Sequence, residues 1–194
     1  MKYLVRRIAT GEWRELRMIR LEALRDCPIA FSSSYAEVAA RTDAFWQEKA
    51  ADEAVSTTSG TFVACDATGA WVGTVGVEPL AEVPDHAHIH ALYVVPAHRG
   101  PAGPAARLMD TAIRFAQEHI DVSWLTLGVH QDNARAMAFY QRIGFEMTGK
   151  VIPYRPNPAE TCSIMSYPGF RTQPASGSPQ TSRRRSDRSR GRSG

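Results

Sequence analysis

The sequence predicts a mixed α/β fold, one sheet with helices on its faces. Two observations predict it. Strand-type and helix-type runs follow the order β-α-α-β-β-β-α-β-α-β-β. The stretch from His86 to Met109, HAHIHALYVVPAHRGPAGPAARLM, reads as strand, Gly/Pro turn and helix. The strands on either side of the helix Gly103–His119 are therefore parallel neighbours joined by a crossover.

The elements follow in order. Tyr3 to Ile8 reads as a first strand. A helix from about Glu12 to Arg25 sets Trp13, Leu16, Ile19 and Ala23 on one face, and Asp26-Cys27-Pro28 stops it. Ser32-Ser33-Ser34 offers a cap to a short helix within Ala30–Arg41, and Thr42 or Asp43 caps the next, with Phe45, Trp46 and Lys49. Thr61–Cys65 and Ala70–Val77 form a hairpin around Asp66-Ala67-Thr68-Gly69. After the strand–turn–helix unit come the strand Val122–Val129 and a short helix Asn133–Arg142 closed by Gly144. Phe145–Ile152 and Thr161–Tyr167 are a last pair of strands across a loop, Pro153–Glu160.

Composition divides the chain into a domain, residues 1–168, and a Ser/Arg-rich tail, 169–194, too poor in apolar residues to order itself. Residues 171–194 carry seven Arg and one Asp, and residues 1–170 sixteen Lys+Arg and nineteen Asp+Glu, so a charge of +3 is +6 on the tail and −3 on the body. Binding of nucleic acid is expected only through that tail. Cys27, Cys65 and Cys162 form no CxxC pair, which argues against a zinc site or redox dithiol and for reduced thiols in the cytoplasm. There is no apolar run of signal-peptide or membrane-span length.

The turn between strand and helix aims backbone N–H groups and a helix N-terminus at one spot, which suits a phosphate, and Arg99 adds a charged fork. His86, His88 and His90 alternate on the strand and face one way. At roughly 7 Å per pair they stand too far apart for one tetrahedral ion, so no metal is expected.

The second informative stretch is Leu125–Phe145, LTLGVHQDNARAMAFYQRIGF. The pattern V-x-x-x-N-x-x-A-x-x-F-Y-x-x-x-G-F falls on Val129, Asn133, Ala136, Phe139, Tyr140, Gly144 and Phe145. Together with V-x-P-x-x-R-G at Val94–Gly100, it resembles the GNAT superfamily of acetyl-CoA-dependent N-acetyltransferases. The resemblance implies a mostly antiparallel sheet flanked by helices, with one parallel, splayed strand pair at the cofactor site. It implies that Leu92–Val94 pair their backbone with the pantetheine arm, that the Arg99–Ala105 loop cradles the pyrophosphate, that Asn133 contacts the arm, and that Tyr140 protonates the departing thiolate. The usual loop reads R-G-x-G-x-G/A. Here it carries one extra residue, and Pro101 and Pro104 lack N–H groups, so the donors expected are Gly100, Ala102, Gly103 and Ala105.

Counting from Val94, His88 falls where some GNAT enzymes place a glutamate general base, and His90 is the alternative. Tyr140 is expected to face the cofactor while Phe139 points to the core. Tyr93 is read as packing, and Tyr154 and Arg155 as loop residues near the acceptor. The expected reaction moves acetyl from acetyl-CoA, a co-substrate, to a primary amine of a small molecule, and the acids Glu78, Glu82 and Asp85 favour a cationic acceptor. The alternatives are a protein N-terminus or lysine as acceptor, and a non-catalytic nucleic-acid-associated protein. No membrane partner is expected, and a homodimer is compatible with the sequence.

Overall fold

The strand–turn–helix unit folds as its pattern dictates, and the sheet grows around it. The computed structural model describes residues 3–171. Strands β1 (Leu4–Arg7), β2 (Gly60–Cys65), β3 (Trp71–Pro79), β4 (His86–Val94), β5 (Trp124–His130), β6 (Glu146–Tyr154) and β7 (Asn157–Ser166) form one sheet, ordered β1-β2-β3-β4-β5-β7-β6. Only β4 and β5 are parallel; the other neighbours are antiparallel.

The helices are α1 (Trp13–Asp26), α2 (Tyr35–Ala39), α3 (Asp43–Val55), α4 (Ala105–His119) and α5 (Ala134–Arg142). Local caps set their starts. Ser34 and Glu37 form a capping box on α2, the Thr42 hydroxyl accepts from Phe45 N–H on α3, and Asn133 Oδ1 accepts from Ala136 N–H on α5.

Two apolar layers enclose the sheet. Leu108, Met109, Ala112, Phe115 and Ala116 of α4 meet Val75, Val77, Ala87, Ile89, Leu125 and Leu127, with α5 packed at the margin. On the opposite face α1 and α3 bury Trp13, Leu16, Ile19, Ala23, Leu24, Trp46 and Ala50 with Phe31 and Tyr93. β4 serves both layers because it carries a bulge. Ala91 has φ +53°, and the register with β3 jumps from Gly76↔His90 to Thr74↔Tyr93. Before the bulge Ala87 and Ile89 face α4; after it Val94 does, and Tyr93 faces α1.

Two expected boundaries move. The loop Pro153–Glu160 is mostly strand, since Tyr154 pairs with Asn157 and leaves Arg155-Pro156 as the turn. Pro153 is tolerated because β6 is an edge strand, where a missing donor removes no ladder bond. The packed body also continues past Pro168. Phe170 is 3% exposed, its carbonyl accepts from Gln117 Nε2 at 3.1 Å, and Arg171 donates to the Ile120 carbonyl. The rest of the Arg-rich tail, 172–194, lies outside the described residues. Among the described residues no helix is long and apolar enough to cross a membrane.

Phe170→Ala is expected to lower stability by about 3 kcal/mol, the scale of a buried aromatic deletion, read from urea denaturation. A chain ending at Pro168 should show at least that loss.

Candidate active site

The site is a wedge in the sheet. The parallel ladder between β4 and β5 holds only at His86↔Trp124, Ala87↔Leu125 and His88↔Thr126. Beyond it β5 pairs with β7 as far as His130↔Cys162, and β4 pairs with β3 as far as Gly73↔Val94. The two strands are thus held from their outer sides and open between. Val95 N–H donates to the Val72 carbonyl at 2.9 Å, so by antiparallel alternation Val94, and Leu92 two residues back, turn their N–H and C=O groups to the open edge. Arg99 Nε claims the Val94 carbonyl at 2.7 Å, which leaves the Val94 N–H.

The loop at the end of β4 makes one 3-10 turn (Pro96–His98), passes through Gly100 at φ +125°, and enters α4 at Pro104. Four donors were expected there. Gly103 is not free, because its N–H closes a turn onto the Gly100 carbonyl at 3.0 Å. Its role is steric: a Cβ at 103 would stand 2.3 Å from the His98 carbonyl oxygen. Gly100 and Ala102 donate to no backbone acceptor among the described residues. The first α4 ladder bond is Leu108 N–H to the Pro104 carbonyl, so the first-turn N–H groups of Ala105, Ala106 and Arg107 have no partner in the helix ladder.

Arg99 departs from its expected place. Its guanidinium is tied to the Asp26 carboxylate at the end of α1 and lies 5.5 Å from the Tyr93 ring centroid. Here the residue clamps the loop to α1 and β4 rather than offering a free fork. Tyr93 is buried as expected, and its hydroxyl donates to Glu22 at 3.2 Å.

Across the wedge, Asn133 caps α5 with its Oδ1, and its Nδ2 makes no bond among the described residues. The Tyr140 hydroxyl makes none either; burial pushes this phenol up from its ordinary value, so it stays protonated at neutral pH. Phe139 and Tyr140 fall in the same class of exposure. Both are half-buried against the α4 layer, and the Arg142 guanidinium carbon lies 5.5 Å from the Phe139 ring centroid.

The three β4 histidines share a face but go to different partners. His86 stacks on Trp124, with centroids 6.1 Å apart. His88 Nδ1 lies 3.4 Å from Thr126 Oγ1, at the last paired position before the wedge. The His90 ring lies on Gly76, where a Cβ would be 2.3 Å away. Burial, then the neighbouring His90, lowers His88 to about 4 against the pull of Glu78. Burial, with Lys49 and Arg20, lowers His90 to about 4 against Glu53. Both are neutral at physiological pH.

The expected acidic loop and the hairpin residues are largely committed elsewhere. Asp85 accepts from Ser123 N–H at 2.6 Å, and Glu78 stands 3.6 Å from His90 Nε2. Tyr154 is buried, not a loop residue: its hydroxyl donates to the Pro28 carbonyl at 3.1 Å. Arg155 pairs with Glu37 at 3.1 Å on the surface. Sequence reasoning missed His130. This side chain, 1% exposed, bonds Glu160 at 2.9 Å through Nε2 and accepts from Asp132 N–H through Nδ1, and it packs edge-on against Tyr154. It locks the β6–β7 hairpin to the end of β5. One histidine at a strand end carries no signal of this in the sequence.

The sequence pattern of the acetyltransferase (GNAT) family matches residues 18–145, most of the described body. The chain belongs to this family. No curated protein matches significantly. Among solved structures, a GNAT-family acetyltransferase from Streptococcus pneumoniae is similar at 20% identity and TM-score 0.69, covering 85% of this chain and 98% of that one. Spermidine N-acetyltransferase from Vibrio cholerae, solved with CoA and spermine, is similar at 17% identity and TM-score 0.66, covering 84% and 94%. At these identities the likeness is one of fold, and the wedge and loop of this GNAT chain stand on its own geometry.

Two outcomes test the GNAT site. Gly103→Ala should disrupt the loop by collision with a backbone carbonyl and weaken acetyl-CoA binding by about ten-fold or more in calorimetric titration, with the sheet intact by circular dichroism. The histidines predict a pH dependence. Their folded pKa lies below the unfolded 6.5, so the unfolded chain binds more protons between about pH 4 and 6.5, and stability falls as pH drops through that window. Exchanging both His88 and His90 for Asn should flatten the melting temperature over that range relative to wild type.

Proposed function

We propose that this protein is an N-acetyltransferase that moves an acetyl group from acetyl-CoA to a primary amine of a small molecule. One observation carries the reading: an open parallel wedge whose free β4 edge leads to a helix N-terminus with unpaired N–H groups. An extended amide-bearing arm ending in a pyrophosphate matches both parts, the arm as a partner for the β4 edge and the phosphates for the α4 start. Gly100, Ala102, Ala105 and the next first-turn amides are the donors for the pyrophosphate, Leu92 and Val94 for the arm, with Asn133 Nδ2 from the other side. Acetyl-CoA supplies an activated acyl carbon and a thiolate leaving group.

The chain's own groups then divide the work. The amides of the β4 edge polarise a carbonyl laid against them. The Tyr140 hydroxyl, which burial keeps protonated at neutral pH, is the donor assigned to the departing thiolate, and solvent restores its proton after each transfer. His88, neutral and at the narrow end of the wedge, is the group assigned to accept a proton from the attacking amine, directly or through water. With its pKa near 4, its ionisation puts an acid limb of turnover near pH 4, not 6.5.

Tyr140→Phe should fold normally and bind acetyl-CoA, while kcat falls by roughly 10²-fold. Turnover equal to wild type would assign protonation to solvent. No rise in melting temperature with millimolar acetyl-CoA, and no transfer to any of a panel of amines, would overturn the reading as a whole.

A further inference from the structure

We infer that Arg20 is the anchor for an anionic group of the acceptor, so that the preferred acceptor is a primary amine that also carries a carboxylate. The inference rests on the transferase reading above and deepens it.

The observation is an ion without a partner. Arg20 lies one turn from Leu16 and from Leu24, on the inward stripe of α1. Its guanidinium carbon sits 4.4 Å from the Phe31 ring centroid, and Nη1 is sealed from solvent with no hydrogen bond. No carboxylate offsets its burial, which alone pulls its pKa down to about 10. A half-buried guanidinium with one nitrogen sealed from solvent and no counter-ion is unfavourable, and a fork of five donors matches a carboxylate.

Four acids of helices α1 and α3 are already engaged, and Glu15, Glu48 and Asp52 are exposed. Glu53 holds Lys49 at 3.0 Å and Thr61 at 3.2 Å, Glu22 accepts from Tyr93, Asp26 holds Arg99, and Asp43 takes Arg17 at 3.5 Å. The unsatisfied atoms are mainly donors. Trp46, 2% exposed, leaves its indole N–H unpaired in the same α1–α3 layer, and His90 Nε2 is likewise buried without a hydrogen bond.

The location fits an acceptor. Arg20 is close enough to His90 for its charge to depress the imidazole. His90 is two residues beyond His88, roughly 7 Å along the strand, where the wedge begins to open. The α4 N-terminus belongs to the opposite layer, so an amine meeting a thioester in the wedge arrives from the α1–α3 side. An anion held by Arg20 therefore lies on the side from which the acceptor arrives.

The test is acetyl transfer to matched acceptors: 4-aminobutyrate, L-phenylalanine and L-glutamate against their carboxamides, with spermidine as a cation. Carboxylates should exceed carboxamides by about ten-fold or more in kcat/KM, the scale of one charge-assisted hydrogen bond. Arg20→Gln should bring that ratio close to one through KM, without changing carboxamide turnover or acetyl-CoA binding, and Arg20→Lys should restore part of it. Should Arg20→Gln fail to fold, the wild-type ratio and the protection of the melting temperature by 4-aminobutyrate over its carboxamide decide the matter. Equal or better turnover of carboxamides or spermidine, or a ratio unmoved in Arg20→Gln, overturns the inference and leaves the transferase standing. No acetyl-CoA binding and no transfer to any acceptor overturns both.

Discussion

Three residue pairs of parallel ladder between β4 and β5 set the arrangement of everything else. A longer ladder would close the sheet and satisfy its own backbone; a shorter one would let the halves drift apart. The wedge keeps its width because each side is fastened outward, β4 to β3 and β5 to β7, by antiparallel pairing that continues past His88 and Thr126. Backbone donors and acceptors seldom go unpaired in a folded interior, so an open edge in mid-sheet is free to take water or an extended, amide-bearing ligand. The chain keeps that edge open with hydrogen bonds made elsewhere.

The bulge at Ala91 gives the same strand two duties. Without it a strict alternation would leave either the histidines or Tyr93 on the wrong face. With one added residue, β4 presents His88 and His90 to the α1–α3 side, then Tyr93 to the same side beneath Arg99. Arg99, Asp26 and Tyr93 in turn join the loop before α4 to the end of α1. The helix that carries Arg20 and the loop that precedes α4 are therefore mechanically continuous.

What the sequence disclosed was local. Helix α1 was legible from Trp13, Leu16, Ile19 and Ala23, the caps from Ser34 and Thr42, and the parallel pair from one crossover helix, because each depends on residues a few positions apart. The partners of the site residues were not legible. Asp26 meets Arg99 across 73 positions and Tyr154 meets Pro28 across 126, and no spacing encodes such contacts. The tip of the β6–β7 hairpin was hidden by Pro153, which reads as a breaker until the strand is known to be an edge. Arg20 did leave a trace: a charge in the middle of an apolar stripe, four residues from Leu16, which helical spacing alone turns inward.

The contact of the His90 ring with Gly76 has a consequence for inheritance. The ring occupies the volume where any side chain at 76 would begin, so the two positions are not free to drift separately. A lineage that lost the imidazole would leave a hollow that an alanine at 76 fills; a lineage that first acquired that alanine would have to expel the ring from the sheet. The order of substitution is thereby fixed, with 90 changing before 76. Any library built to alter acceptor choice at 90 reaches its larger members only while 76 stays glycine.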